Sequence, residues 1–204
     1  PEVEFIEERE LRDYAFTRIN PWGWDRALAY SLRRHGVDEG LLPKAEVLQR
    51  VREESHRRTA MHLLAQIGIS EAFECSTLNA IHYLIYKYNK VVAKAPWSSS
   101  GRGIRFLDDT LDEHTQGWLR NTLRHQGTVM IEPLYNKVMD FGMEFYRHPD
   151  GKVEYLGLSL FQTVNGAYTG NILATETVKR DILSRYISLD DLDAFTSAAC
   201  DYLG

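Results

Sequence analysis

Val91-Val92-Ala93-Lys94-Ala95-Pro96-Trp97-Ser98-Ser99-Ser100-Gly101-Arg102-Gly103-Ile104-Arg105-Phe106 is the stretch around which the chain is organised. Its first half reads as a short buried strand: two β-branched residues lead to a lysine, and Pro96 fits only where a hydrogen-bonded ladder ends. The second half reads as a loop. Three serines, two glycines and an arginine leave backbone N–H groups free to face an oxyanion, and the glycines let that backbone approach closely. Lys94, at the end of a rigid strand, adds a point charge, and the whole suits a polyphosphate. A solvated linker has a similar composition, but a bulky Trp97 beside a stiff Pro96 argues for an ordered loop.

Upstream, Thr77 to Tyr88 shows helical periodicity, with Leu78, Ile81, Leu84, Ile85 and Tyr88 on one face and Ser76 as N-cap. Further back, the period predicts helices over Arg57 to Ile67, Lys44 to Glu54 and Trp24 to His35, with Ser55 placed to cap the first of these. Residues 1 to 19 read as a short strand or extended lead-in, broken at Asn20-Pro21-Trp22-Gly23. Downstream, Leu111 to Arg124 is helical, and Thr128 to Ile131 is a buried strand ending at Glu132-Pro133. The period then becomes two. Met139, Phe141, Met143 and Phe145 share one face; after the turn His148-Pro149-Asp150-Gly151, Val153, Tyr155, Gly157, Ser159 and Phe161 share another, which predicts an antiparallel hairpin. Gly166 to Gly170 reads as a loop, and Glu176 to Tyr186 and Leu189 to Tyr202 as closing helices. The order predicts an α+β fold with largely antiparallel sheet.

The chain has 204 residues and a net charge of −5. The mild, dispersed acid excess gives a nucleic-acid partner no electrostatic support. No apolar run is long enough to span a bilayer, and no signal-peptide pattern opens the chain. Cys75 and Cys200 lie far apart without metal spacing, as expected of free thiols in a reducing, cytoplasmic compartment. The start at Pro1 and the end at Gly204 suggest a piece of a longer protein.

Two carboxylates stand out. Glu132 ends an apolar strand, where it either caps the strand end or lines a base pocket with the hinge that follows; Pro133 lacks an N–H but keeps a carbonyl able to accept from an exocyclic amine. Asp140 is either a solvated strand residue or an acceptor for ribose hydroxyls. The seven histidines show no metal spacing. Neither a nucleophile elbow nor a P-loop nor a dinucleotide-binding fingerprint is present.

A lysine on a strand, a Ser/Gly loop, a helix, a strand ending in glutamate and an acidic residue before phenylalanine together resemble the ATP-grasp superfamily, which includes glutathione synthetase and D-alanine:D-alanine ligase. The resemblance covers most of residues 55 to 170. It is closest to an uncharacterised bacterial branch with motifs similar to Asn20-Pro21-Trp22-Gly23-Trp24-Asp25 and to the stretch from Lys94 to Gly103. It implies two α+β subdomains clamping ATP, at 55–125 and 126–204, with 1–54 as the end of a preceding region and its linker helices, and the whole truncated at both ends. Lys94 would contact the α- and β-phosphates. Ser98, Ser99, Ser100, Gly101 and Gly103 would close over the β- and γ-phosphates. Glu132, the Pro133 carbonyl and the Tyr135 N–H would hold adenine, and Asp140 the ribose. Arg57 stands where a phosphate-binding lysine is usual.

By the same resemblance the chain is the ATP-binding portion of a ligase that joins a small-molecule carboxylate to an amine or thiol through an acyl phosphate. Magnesium would be held by an acidic residue and a Glu-x-Asn that this sequence lacks, so its ligands are expected outside this chain. A homodimer is left open. The absent metal carboxylates motivate a second reading, a nucleotide-binding or assembly module without catalysis; a third is a structural α+β domain whose loop binds nothing.

Overall fold

The computed structural model describes residues 3–98, 101–164 and 167–204. Ser99, Ser100 and Gly166 of the sequence reading lie outside them. The chain divides into two compact units, Pro1–His56 and Arg57–Gly204.

In the first unit, helices α1 (Arg26–Arg34) and α2 (Ala45–Glu54) form as their apolar spacing predicts. Asp25 caps α1 by accepting from the Leu28 N–H at 2.7 Å, and Gly36 ends it at φ +82°. Arg26 of α1 donates to Gln49 of α2 at 2.8 Å, and Ala29, Val37, Leu42 and Leu48 are buried. The first residues are not a strand: Glu8–Asp13 is a 3₁₀ turn, closed by the Glu10 carboxylate accepting from the Glu7 N–H. Ser55 does not cap the following helix. It ends α2, its hydroxyl donating back to the Val51 carbonyl at 2.6 Å.

The second unit carries α3 (Arg58–Gln66), β1 (Phe73–Cys75), α4 (Leu78–Tyr88), β2 (Val91–Lys94), β3 (Ile104–Leu107), α5 (Glu113–Gln126), β4 (Val129–Pro133), β5 (Asp140–Arg147), β6 (Val153–Val164), β7 (Ala167–Asn171), α6 (Glu176–Leu183) and α7 (Leu189–Leu203). Among the described residues the strands form two antiparallel sheets, ordered β1-β4-β2-β3 and β5-β6-β7, so the α+β class with antiparallel sheets holds. The first sheet buries Val91, Ala93, Leu107, Val129 and Ile131 against Ile81, Leu84, Ile85 and Leu119 of α4 and α5. Fully burying one such aliphatic side chain is worth about 1.5–3 kcal/mol. The second sheet buries Leu158 and Leu160 against Leu183 and Leu192 of α6 and α7.

Several local expectations are corrected. Ile104 to Leu107 is a strand, because pairing with β2 (Val92 opposite Phe106, Lys94 opposite Ile104) supplies what the two preceding glycines hide in sequence. Thr77, not Ser76, caps α4, accepting from the Ala80 N–H at 3.2 Å. Ala167 to Asn171 is a strand and not a loop, since pairing with β6 outweighs the weak propensity of Gly170. Strand β4 lies after residue 125, yet its hydrogen bonds to β1 and β2 place it in the first sheet. The alternation on β6 also changes phase. Glu144 pairs with Gly157 and Phe145 with Tyr155, so Leu156 is an extra residue and a β-bulge shifts the register. Val153 and Tyr155 face inward before the bulge; Leu158 and Leu160 do so after it, which sends Ser159, Phe161 and Thr163 to the opposite face.

Candidate functional site

Each sheet has one face on a core, and the other faces line a single cleft of about 730 Å³ within the second unit. Alternation decides which side chains reach it. From the first sheet come Val92 and Lys94 of β2, Ile104 and Phe106 of β3, and Glu132 of β4. From the second come Asp140 of β5, Phe161 and Thr163 of β6, and Tyr168 of β7. Pro133 at the end of β4, with Leu134, Tyr135 and Lys137 in the connection between the sheets, closes the cleft at one edge, and Gly101 borders it near the loop.

Two charged pairs flank the apolar lining. The Lys94 ammonium lies 2.5 Å from Glu132 Oε2, both partly exposed, at 23% and 32% of their side-chain surface. Across the cleft Asp140 Oδ2 accepts from the Lys137 ammonium at 2.5 Å and from the Thr163 hydroxyl at 2.7 Å. Burial opposes ionisation of Asp140, but the bonds from Lys137 and Thr163 and the Lys137 charge outweigh it and hold the carboxyl below its ordinary value. The Leu134 N–H extends the β4 ladder by donating to the Lys90 carbonyl at 3.0 Å. The Tyr135 hydroxyl donates to Glu71, and burial, then that carboxylate, push its pKa up to about 12. Mostly apolar, and lined as well by charged and hydrogen-bonding groups, the cleft suits a planar aromatic ligand carrying polar substituents.

Of the residues singled out from sequence, Lys94, Gly101, Glu132, Pro133, Tyr135 and Asp140 meet at this cleft. Ser98 and Gly103 do not line it. A β-carbon at Gly103 would come within 2.3 Å of the Ser98 side chain, and the Ala95 N–H donates to the Gly103 carbonyl at 2.8 Å. Arg57 does not line it either, its guanidinium donating to the Ala95 carbonyl at 3.1 Å and the Ser98 carbonyl at 2.8 Å. Lys137, Phe161, Thr163 and Tyr168 escaped the sequence reading. Lys137 had a signal, three residues before Asp140; Phe161 and Thr163 had none, because their face depends on the bulge.

No family model matches the chain, and no curated protein matches it in sequence. Solved structures do. PurK, N5-carboxyaminoimidazole ribonucleotide synthetase, in its ADP complex, matches with a TM-score of 0.52 and 15% identity over 88% of this chain and 44% of that one. The same synthetase from Thermus thermophilus matches at 0.50 and 13% identity over 89% and 46%. D-alanyl-alanine synthetase A from Vibrio cholerae matches at 0.49 and 13% over 76% and 49%. The chain thus spans less than half the length of each. At such identities the likeness concerns architecture, and it agrees with the order of motifs along the chain: the fold is the ATP-grasp fold.

Proposed function

We propose that the cleft is an ATP site and that the chain is the ATP-binding portion of a ligase joining a small-molecule carboxylate to an amine or thiol through an acyl phosphate. The observation that carries this reading is the convergence of Lys94, Gly101, Glu132 to Tyr135 and Asp140 on one cleft. The fold shared with PurK, a protein seen with ADP, supports it.

In this assignment the base lies among Val92, Ile104, Phe161 and Tyr168, with Glu132 and the Pro133 carbonyl accepting from its exocyclic amine and the Tyr135 N–H donating to a ring nitrogen. Asp140, oriented by Lys137 and Thr163, accepts from the ribose. Lys94 lies between Glu132 and the α- and β-phosphates, and the loop through Gly101 and Gly103 borders the β- and γ-phosphates. In the reaction, a substrate carboxylate oxygen bonds to the γ-phosphorus as the bridging P–O bond breaks and ADP leaves. The amine nitrogen or thiol sulfur then bonds to the acyl carbon, losing a proton as inorganic phosphate departs. The protein's contribution is positioning and charge stabilisation. Magnesium belongs to this chemistry by resemblance, but among the described residues no three His, Cys, Asp or Glu side chains gather to hold a metal ion. The donor set present does not fit it.

We also place the hinge between the two clamping subdomains at residues 134–139, after β4, and the protein in the cytoplasm. Cys75 and Cys200 are free thiols, and burial, then Glu74, push Cys75 up to about 11, as in an inert core thiol. No described helix is long and apolar enough to cross a membrane.

A ligand present at about 100 times its Kd stabilises a fold by about 2.7 kcal/mol. For a chain of this size that raises the melting temperature by about 5–10 °C. Millimolar ATP is expected to produce such a rise and to bind calorimetrically with micromolar Kd. An unchanged melting curve and no heat of binding at millimolar ATP would contradict the assignment.

A further inference from the structure

Arg57 stands where the resemblance puts a phosphate-binding lysine, and its hydrogen bonds run to the stems of the loop. The residue stands immediately before α3. Its Nε donates to the Ala95 carbonyl at 3.1 Å, and its Nη2 to the Ser98 carbonyl at 2.8 Å and the Ser98 hydroxyl at 3.3 Å. Its backbone N–H reaches the Pro96 carbonyl at 3.3 Å. Ser98 Oγ in turn donates to the Ala95 carbonyl at 3.2 Å, and Gly103 packs against Ser98 so closely that no β-carbon fits. The Ala95 N–H to Gly103 carbonyl bond, at 2.8 Å, joins the outgoing and returning stems of the loop. These contacts form one knot with a planar cation at its centre. Lys94 and Gly101 border the cleft and Arg57 does not.

We propose that Arg57 is a positioning residue of the nucleotide site: it sets the loop stems at 95–98 and 101–103 through their carbonyls. The proposal rests on the reading of the cleft as a nucleotide site. Its chemistry requires a fork. A guanidinium holds two carbonyls in a fixed plane, whereas an ammonium is a point donor on a flexible stem. Burial supports the assignment, since desolvation lowers the Arg57 pKa against the opposing field of Glu132; a guanidinium so placed is stabilised by fixed carbonyl acceptors.

The test compares Arg57→Lys and Arg57→Ala with the parent chain, all checked for folding by far-ultraviolet circular dichroism. Trypsin cleavage after exposed Arg102 is measured in the nucleotide-free proteins relative to cleavage after exposed Lys152 in the β5–β6 turn. Cleavage reports the population of locally opened chain. Losing a charge-assisted bond raises that population about tenfold or more. The expected result is a rise of that order in the Arg102:Lys152 ratio for both variants, with a similar loss of ATP affinity and no loss of adenosine affinity. If alanine prevents folding, lysine alone decides, because it keeps the charge and removes the fork. A lysine variant with parental cleavage and parental ATP affinity would show direct charge contact and overturn the proposal. An unchanged cleavage ratio in both variants overturns it as well. A parent chain that binds neither ATP nor adenosine instead overturns the nucleotide reading, and with it the site Arg57 is proposed to serve.

Discussion

Lys94→Ala is expected to lower ATP affinity by about 30-fold or more and to remove the ATP-dependent rise in melting temperature. The reason is a double loss. The ammonium is held at 2.5 Å from Glu132 in a partly buried place, so truncation removes the cation assigned to the phosphates and also leaves a carboxylate unpaired beside them. Removing one member of a largely buried, hydrogen-bonded charge pair costs about 2–5 kcal/mol, and each 1.4 kcal/mol is tenfold in affinity. The uncovered Glu132 would then repel the triphosphate, so the double variant with Glu132→Gln is expected to recover part of the loss. Adenosine, which has no phosphate, should lose much less. Calorimetric titration of the variants with ATP and adenosine makes the comparison; an ATP Kd within threefold of the parent's would contradict the role of Lys94.

The other large effect is expected at Gly157, far from any phosphate. This residue sits in the bulge of β6 at φ +136°, a conformation that residues with a β-carbon rarely adopt. Glu176 crosses over it, accepting from the Leu158 N–H at 2.9 Å and the Tyr155 hydroxyl at 2.7 Å, and so satisfies backbone that the bulge takes out of the ladder. A β-carbon at Gly157 would lie 2.9 Å from Glu176 Oε2. Gly157→Val therefore combines backbone strain of about 1–3 kcal/mol with a weakened charge-assisted bond of about 1.5–3 kcal/mol. A destabilisation of about 3 kcal/mol or more is expected from the urea midpoint at unchanged slope. A loss below about 0.5 kcal/mol would mean that the bulge does not need glycine.

That same bulge marks the boundary of what the sequence could reveal. Helices α1, α4 and α5 were legible because each carries an apolar stripe at helical spacing, and β2 and the β5–β6 hairpin because their patterns are unmistakably those of strands. Three-residue β1 is too short for any period to show. Strand β3 was hidden behind Gly101 and Gly103, and β7 beside Gly166 and Gly170, since pairing forms both and pairing is a non-local property. The inward set on β6 looked like Val153, Tyr155, Gly157, Ser159 and Phe161 until the extra Leu156 exchanged the faces; with it went any chance of reading Phe161 and Thr163 as cleft residues. For the candidate site, Lys94, Glu132 and Asp140 could be found because a charge at a strand position next to apolar neighbours calls for a reason. Arg57 could be flagged as a cation near the loop, but only geometry distinguishes a guanidinium facing carbonyls from one facing an open cleft.

In the proposed site the base of ATP sits at the hinge after β4 and against the outward face of β6. Photolabelling with 8-azido-ATP, followed by denaturation, trypsin and mass spectrometry, addresses it most directly, because two limit peptides, His125–Lys137 and Val153–Lys179, carry those two walls. Label is expected on one or both, suppressed by excess ATP and by excess adenosine. Label confined to other peptides, or label in these two that ATP does not compete, would contradict it.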